Sequence, residues 1–196
     1  TSAIAQIIQT PGISGVENNI IIFEYDKHQP DQLPQIIENL RMVQAGDFDI
    51  CILGSSMRNI KYDNGIHIWI RDLNRDNERL MILLSYVILG HPAWKNASIS
   101  LFTLSLKNKM EETRNNITRF VLEGRLPVSR KNITVIEQYP EVNFRTLLAQ
   151  HSSEAALTIV GFYNERLKHE GQKHFEGFDE VGDILFVNAH DLLEIT

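Results

Sequence analysis

A histidine followed by two serines, His151, Ser152 and Ser153, is the first place in this chain where residue types suggest chemistry. A serine hydroxyl activated by an imidazole is the arrangement of a nucleophilic hydrolase. The three residues, however, end a helical pattern. At such an end a histidine interacts favourably with the helix dipole, and serine side chains form hydrogen bonds with the backbone groups that the helix leaves unpaired. We therefore interpret them as a helix C-terminus and predict no catalytic residue and no enzymatic activity.

The seven histidines also raise the question of a metal site. His169 and His174 are five residues apart, so they do not share a helix face, and His190 is followed by Asp191 at the end of an apolar run. No third ligand stands at a usable spacing from either pair. The sequence therefore predicts no metal site.

Nucleotide binding through the backbone requires glycines at the turn between a strand and a helix. Gly161, Gly171 and Gly177 follow an apolar run, as the spaced glycines of ATP-binding universal stress proteins do, but the family spacing and its terminal Gly-Ser/Thr are missing. Residues 71–77 contain no glycine, and neither a P-loop nor a G-x-S-x-G sequence occurs. We predict no cofactor and no tight nucleotide binding.

Composition restricts the function further. The 196 residues carry a formal net charge of −6, which argues against general binding to nucleic acid or to an anionic membrane surface. Cys51, the single cysteine, lies in an apolar run and is interpreted as a small buried hydrophobe in a reducing cytoplasm. The longest apolar runs, Leu80–Leu84 and Ile20–Phe23, are too short to cross a bilayer, and no signal peptide is recognisable. We expect a soluble piece, either free or an extramembrane part of a membrane protein.

Apolar, β-branched runs alternate with helical patterns along the chain. This order predicts βαβ units in an α/β fold, with a mostly parallel sheet and helices on both faces. Asp31 is predicted to cap the helix after the first strand, and an earlier helix is predicted over residues 3–9. The predicted strands cover residues 19–23, 49–54, 66–70, 98–104, 132–136, 157–161 and 183–187, with the third and sixth adjacent near the centre of the sheet.

The polar stretch Ser55–Asn64 is the predicted boundary between two subdomains. Residues 1–55 are interpreted as the closing part of a first α/β subdomain, and residues 65–196 as a second. The first two strands and the helix between them echo the last two strands and their connection, which suggests two related halves.

Several segments together resemble the cytosolic C-terminal domain of cation–chloride cotransporters, the Na-K-Cl and K-Cl cotransporter family, in a prokaryotic form. The segment Leu147–Ser153, which contains Leu-Leu and His-Ser-Ser, is the most specific of them. The others are the segments 7–15, 18–22, 36–40, 66–70, 80–84 and 94–102, which match in order the family's helices and strands. One departure concerns regulation: only Glu137–Asn143 stand where animal members carry a long polar insertion, so kinase control is not carried over.

The resemblance implies a universal-stress-protein-like (Rossmann-like) fold and a homodimer. It also implies a non-catalytic role in assembling and regulating the electroneutral symport of cations with chloride. The domain would lie at the cytoplasmic face of the plasma membrane, with the transmembrane domain of the same polypeptide as its partner and no nucleic acid. Since the ion path lies in the membrane part, no ion-binding residue is assigned.

Two other interpretations stay open. One is a stand-alone universal-stress-type nucleotide-binding protein. The other is a small α/β enzyme that works at a switch point of the sheet near Arg71, Asp72 and Gly161. The turn formed by Arg71, Asp72, Arg75 and Asp76 is otherwise interpreted as a solvated cluster of ion pairs with little energetic weight.

Overall fold

The computed structural model describes residue 4 and the ranges 19–71, 76–123, 126 and 128–190. The described strands are β1 (Ile20–Asp26), β2 (Asp49–Ser55), β3 (Ile66–Ile70), β4 (Ile99–Ser105), β5 (Ile133–Glu137), β6 (Leu157–Gly161) and β7 (Asp183–Asn188). The described α-helices are α1 (Leu33–Gln44), α2 (Asp76–Leu89), α3 (Met110–Glu123), α4 (Phe144–Ser152) and α5 (Asn164–Glu170). The helix predicted over residues 3–9 lies, except for Ile4, outside the described residues.

The strands form one seven-stranded sheet in the order β1-β2-β7-β6-β3-β4-β5. Every neighbouring pair is parallel except β2 and β7, which are antiparallel. The α/β fold with a mostly parallel sheet is therefore confirmed, as is the central pairing of β3 with β6. Among the described residues, no helix is both long and apolar enough to span a membrane.

The central strands are apolar on both sides because both faces of the sheet are covered. Successive residues of β3 alternate between two separate core clusters. Trp69 packs on one face with Leu147 and Leu148 of α4, while Ile68 packs on the other face with Met81 of α2. Helix α1 shares the first cluster and α3 shares the second. Helices thus lie on both faces, as predicted.

The prediction that Asp31 caps the first helix is wrong. Residues Pro30–Gln32 form a 3₁₀ turn, and the N-cap of α1 is Gln32, whose side chain makes no capping hydrogen bond. Pro34 occupies the first turn of α1 and has no backbone N–H. One of the backbone N–H groups to which a capping side chain would bind is therefore absent from the first turn.

The antiparallel pair β2–β7 joins two βαβ units that match each other, as the echo in the sequence predicted. In both units the second strand begins with an aspartate, Asp49 in β2 and Asp183 in β7. The Oδ1 of Asp183 accepts from the backbone N–H of Ser56 at 2.7 Å, and the Oδ1 of Asp49 accepts from that of His190 at 2.7 Å. These reciprocal contacts close the two ends of the pair. The division into subdomains 1–55 and 65–196 stays a prediction. Strands from both stretches belong to one sheet.

A buried lysine makes a second connection across this pair. Lys27, just after β1, donates to the carbonyl oxygens of Phe178, Val181 and Gly182 at 3.1, 2.5 and 2.6 Å, in the segment that leads into β7. Burial and the charge of Arg58 lower the pKa of Lys27 to about 8, against the opposing charges of two nearby aspartates. The ammonium group therefore remains protonated near neutral pH but at a cost in free energy.

This cost leads to a pH prediction. Between about pH 8 and 10.5 the unfolded chain binds the lysine proton and the folded chain releases it, so the free energy of unfolding should rise with pH in this window. In a Lys27→Met variant this gain is absent. We expect the stability of the wild type relative to Lys27→Met to increase from pH 7 to pH 9.5, measured by urea unfolding of both proteins. A difference that stays constant across this range would contradict the shifted pKa.

Candidate functional site

The sheet has a switch point between β3 and β6. The chain leaves β3 toward α2 on one face, whereas β6 is followed by α5 on the other face, so a crevice opens where these two strands end. A cavity of about 170 Å³ lies at this edge. Its walls include Arg71 directly after β3, Gly161 at the end of β6, and residues of α4, α5 and the segment before β7.

Three arginines line this cavity, which we call the switch-point cavity: Arg71, Arg145 in the first turn of α4, and Arg166 in α5. Glu170 contributes a carboxylate to the same wall. The guanidinium carbon of Arg71 lies 5.4 Å from the centre of the Phe144 ring, within the range of a cation–π contact. Loss of hydration lowers the pKa of Arg71, and the positive charge of Arg166 lowers it further. The cavity is therefore a region of concentrated positive charge.

Arg145 is fixed by its own contacts. Its Nε donates to the carbonyl of Glu176 at 2.9 Å, one Nη donates to that of Lys173 at 2.7 Å, and its guanidinium carbon lies 5.1 Å from the centre of the Phe178 ring. Gly177 has φ of 78°, and a Cβ there would come within 3.2 Å of the Arg145 side chain. The backbone at this position therefore favours glycine, and a larger residue would displace the Arg145 side chain by a few tenths of an ångström.

His174 and Glu170 form a hydrogen-bonded pair on the wall of the switch-point cavity. The Nδ1 of His174 and Oε2 of Glu170 are 2.7 Å apart. Burial lowers the pKa of His174 despite this contact, and the hydrogen bond lowers the pKa of Glu170. At neutral pH the pair is therefore a neutral imidazole that donates to a carboxylate. Among the described residues, the wall of the cavity then carries three positive charges and one negative charge.

A second polar cluster lies between the sheet and α4. The Oγ of fully buried Ser152 lies 3.0 Å from Nε1 of Trp69 and 3.0 Å from Nδ1 of His67. The indole can only donate, so Ser152 accepts from Trp69, and its hydroxyl hydrogen is available to Nδ1 of His67 in the tautomer that carries its proton on Nε2. Burial lowers the pKa of His67 although a backbone hydrogen bond with His151 opposes the shift, which fits a neutral, accepting imidazole. Every partner in this His67–Ser152–Trp69 cluster is satisfied.

This cluster corrects one detail of the sequence interpretation. The helix does end at Ser152, but that serine binds side chains of β3 rather than satisfying the end of the chain. His67 itself is half-buried beside Trp69. Ser152 is fully buried, so its hydroxyl is not accessible to a substrate as a nucleophile would have to be. We interpret its contact with the imidazole of His67 as structural.

The other residues singled out from the sequence lie apart. Cys51 is buried, and this burial raises the pKa of its thiol to about 12. His190 contacts Asp47 at 3.3 Å, and His169 is exposed on α5. Within the described ranges no group of three or more His, Cys, Asp or Glu is placed to hold a metal ion. Of the charged turn, Asp72 and Arg75 lie outside the described residues.

A larger cavity, of about 340 Å³, lies at the opposite end of β6 and β7, next to Arg58 and Asp183. Two of its charged groups are already engaged: Arg58 donates to the carbonyl of Asp179 at 3.1 Å, and Asp183 accepts from Ser56. The switch-point cavity is the better candidate site because its charged groups converge at the carboxyl ends of parallel strands. Sequence analysis singled out Arg71 and Gly161 but missed Arg145 and Arg166, which no motif connects.

The chain matches no protein-family model and no curated protein. Its fold is similar to that of a number of solved structures, among them the following three. The cytoplasmic domain of a prokaryotic cation chloride cotransporter is 16% identical with a TM-score of 0.60, over 96% of this chain and 70% of that one. A functionally unknown protein from Pseudomonas aeruginosa PAO1 is 16% identical with a TM-score of 0.52, over 88% and 64%. A universal stress protein from Archaeoglobus fulgidus DSM 4304 is 8% identical with a TM-score of 0.48, over 88% and 62%. At these identities the likeness concerns the fold.

The buried cluster leads to a stability prediction. Ser152→Ala should lower the free energy of unfolding by about 1–3 kcal/mol, because it leaves the Trp69 N–H and the His67 Nδ1 buried without a partner. Ser153→Ala is the matched control, since it removes the same atom one residue later, outside the cluster, and should change stability by less than about 0.5 kcal/mol. Urea unfolding monitored by tryptophan fluorescence measures both. Equal effects of the two substitutions would contradict the assigned role of Ser152.

Proposed function

We propose that this chain is a cytosolic domain of a membrane cation–chloride cotransporter and acts in assembly and regulation rather than in catalysis. One observation carries the proposal: the segment that most specifically resembles this family, around Ser152, meets another matching segment, 66–70, in the His67–Ser152–Trp69 cluster. The sequence resemblance therefore corresponds to a three-dimensional unit and not to separate short matches. The likeness of fold to a transporter's cytoplasmic domain over 96% of this chain supports the same proposal.

The full-length gene product tests this proposal. We expect it to contain a series of hydrophobic spans of roughly 20 residues each ahead of this domain. Reconstituted in liposomes, it should carry out chloride-dependent cation uptake without net charge movement. Removal of this domain should alter the rate or the assembly of the transporter. A gene product without such spans, combined with micromolar affinity for ATP, would instead favour a stand-alone universal-stress-type protein.

Self-association belongs to the same proposal, and the outer face of α2 is the surface we assign to it. Leu83, Tyr86 and Val87 stand at helical spacing on this face, and all three are exposed. Residues 80–90 contain no charged side chain. Since two copies of net charge −6 repel each other, a stretch without acidic side chains, preceded on the same face by exposed Arg79, is where a second copy meets little repulsion. We commit to a second copy of this chain as the occupant.

Sedimentation of the complete cytosolic domain measures this association. Tyr86→Glu places a charge at the centre of the α2 face and should shift a dimer toward monomer at concentrations of order 100 µM, because each two-fold contact would bury the charge twice. Tyr139→Glu is the matched control: Tyr139 is similarly exposed, 52% against 59% for Tyr86, but lies in the turn after β5.

Equal dimerisation of both variants would show that another surface is used. A wild type that remains monomeric at these concentrations would contradict a role in dimerisation and leave only attachment to the membrane part.

A further inference from the structure

We propose that the switch-point cavity binds a small oxyanion of the phosphate type through the side chains of Arg71, Arg145 and Arg166. This inference is independent of the proposed function, because it rests on the geometry of the cavity alone. It also differs from a glycine-rich nucleotide site, in which backbone N–H groups hold the phosphates.

The first argument is the balance of charge. In a chain of net charge −6, three guanidinium groups converge on about 170 Å³. Within the described part of the chain, Arg71 and Arg166 form no ion pair closer than 4 Å with a carboxylate, and Glu170 is engaged with His174. Like charges repel each other, so gathering them has a cost in free energy, which the exposure of Arg71 and Arg166 to solvent reduces but does not remove. An anion placed among them offsets that cost.

The second argument is that two of these arginines are held in place before any ligand arrives. Arg145 is anchored by two carbonyl oxygens and the ring of Phe178, and Arg71 lies over the ring of Phe144. Side chains that are already ordered lose less entropy on binding. A planar guanidinium with free N–H groups matches the oxygens of a phosphate group, which accept hydrogen bonds in pairs.

The third argument is size. Sites for drug-sized ligands occupy roughly 300–1,000 Å³, so a cavity of about 170 Å³ holds a phosphate group but not a complete nucleotide. Rings of Phe178 and Phe186 form part of its wall, which limits hydration of the bound anion and strengthens its attraction to the arginines. The cavity therefore suits inorganic phosphate or the terminal phosphate of a small molecule.

The test is calorimetric titration of the purified chain with inorganic phosphate at constant ionic strength. Arg166→Gln is the main variant, since Arg166 is an exposed side chain on α5 and its replacement should leave the fold intact. We expect it to weaken phosphate binding at least tenfold. Arg166→Lys should weaken it less, because the charge remains while the planar fork is lost. Arg119→Gln is the matched control, since it removes an exposed arginine on the opposite face of the sheet, and it should bind as the wild type does.

Four results would overturn the inference. These are no measurable binding at millimolar phosphate, the same loss in Arg119→Gln as in Arg166→Gln, and displacement of phosphate by equimolar chloride. The fourth is ATP binding more than about 100-fold tighter than phosphate, which would indicate a nucleotide site with contacts to the base. AMP and phosphate should bind with similar affinity, since the cavity accommodates only the phosphate group. None of these results affects the transporter proposal, which the hydrophobic spans of the full-length protein decide.

Discussion

The antiparallel contact between β2 and β7 is the constraint on which the rest of this structure depends. Each βαβ unit is internally parallel, so two such units can share one sheet only if a pair of their strands meets in a fixed register. A shift of one residue would turn every side chain of one unit to the wrong face. The reciprocal contacts of Asp49 and Asp183 with the backbone of the opposite unit hold that register at both ends. The buried amine of Lys27 adds a third connection.

The contact between β2 and β7 also determines where the switch-point cavity lies. It places β7 and β6 between the first unit and β3, so the segment before β7 passes close to α4 and α5. The carbonyl groups of that segment anchor Arg145. Beneath the sheet, Ser152 connects the end of α4 to β3 through Trp69 and His67. The arginines of the cavity therefore depend on contacts between elements far apart in sequence, and their convergence is a consequence of the fold.

The sequence predicted the strands, the central position of β3 and β6, and the placement of helices because these features depend on local apolar periodicity. It predicted the burial of Cys51 for the same reason. It did not predict the partner of Ser152, because a serine at a helix end has the same local pattern whether it binds the backbone or a side chain. The interpretation of Asp31 as a cap failed since two prolines reshaped the entry of the helix. Arg145 and Arg166 belong to separate helices, and only the three-dimensional structure brings them together.

The two surfaces to which we assign binding lie on opposite faces of the sheet. The switch-point cavity is bordered by α4 and α5, which pack on one face, while the apolar face of α2 lies on the other. They are nevertheless close along the chain, because only four residues separate Arg71 from the first residue of α2 at Asp76. An anion bound by Arg71 contacts the residue that directly follows β3 and precedes α2. Energetic coupling between two sites requires such a shared element, and the end of β3 is the element that both surfaces have in common.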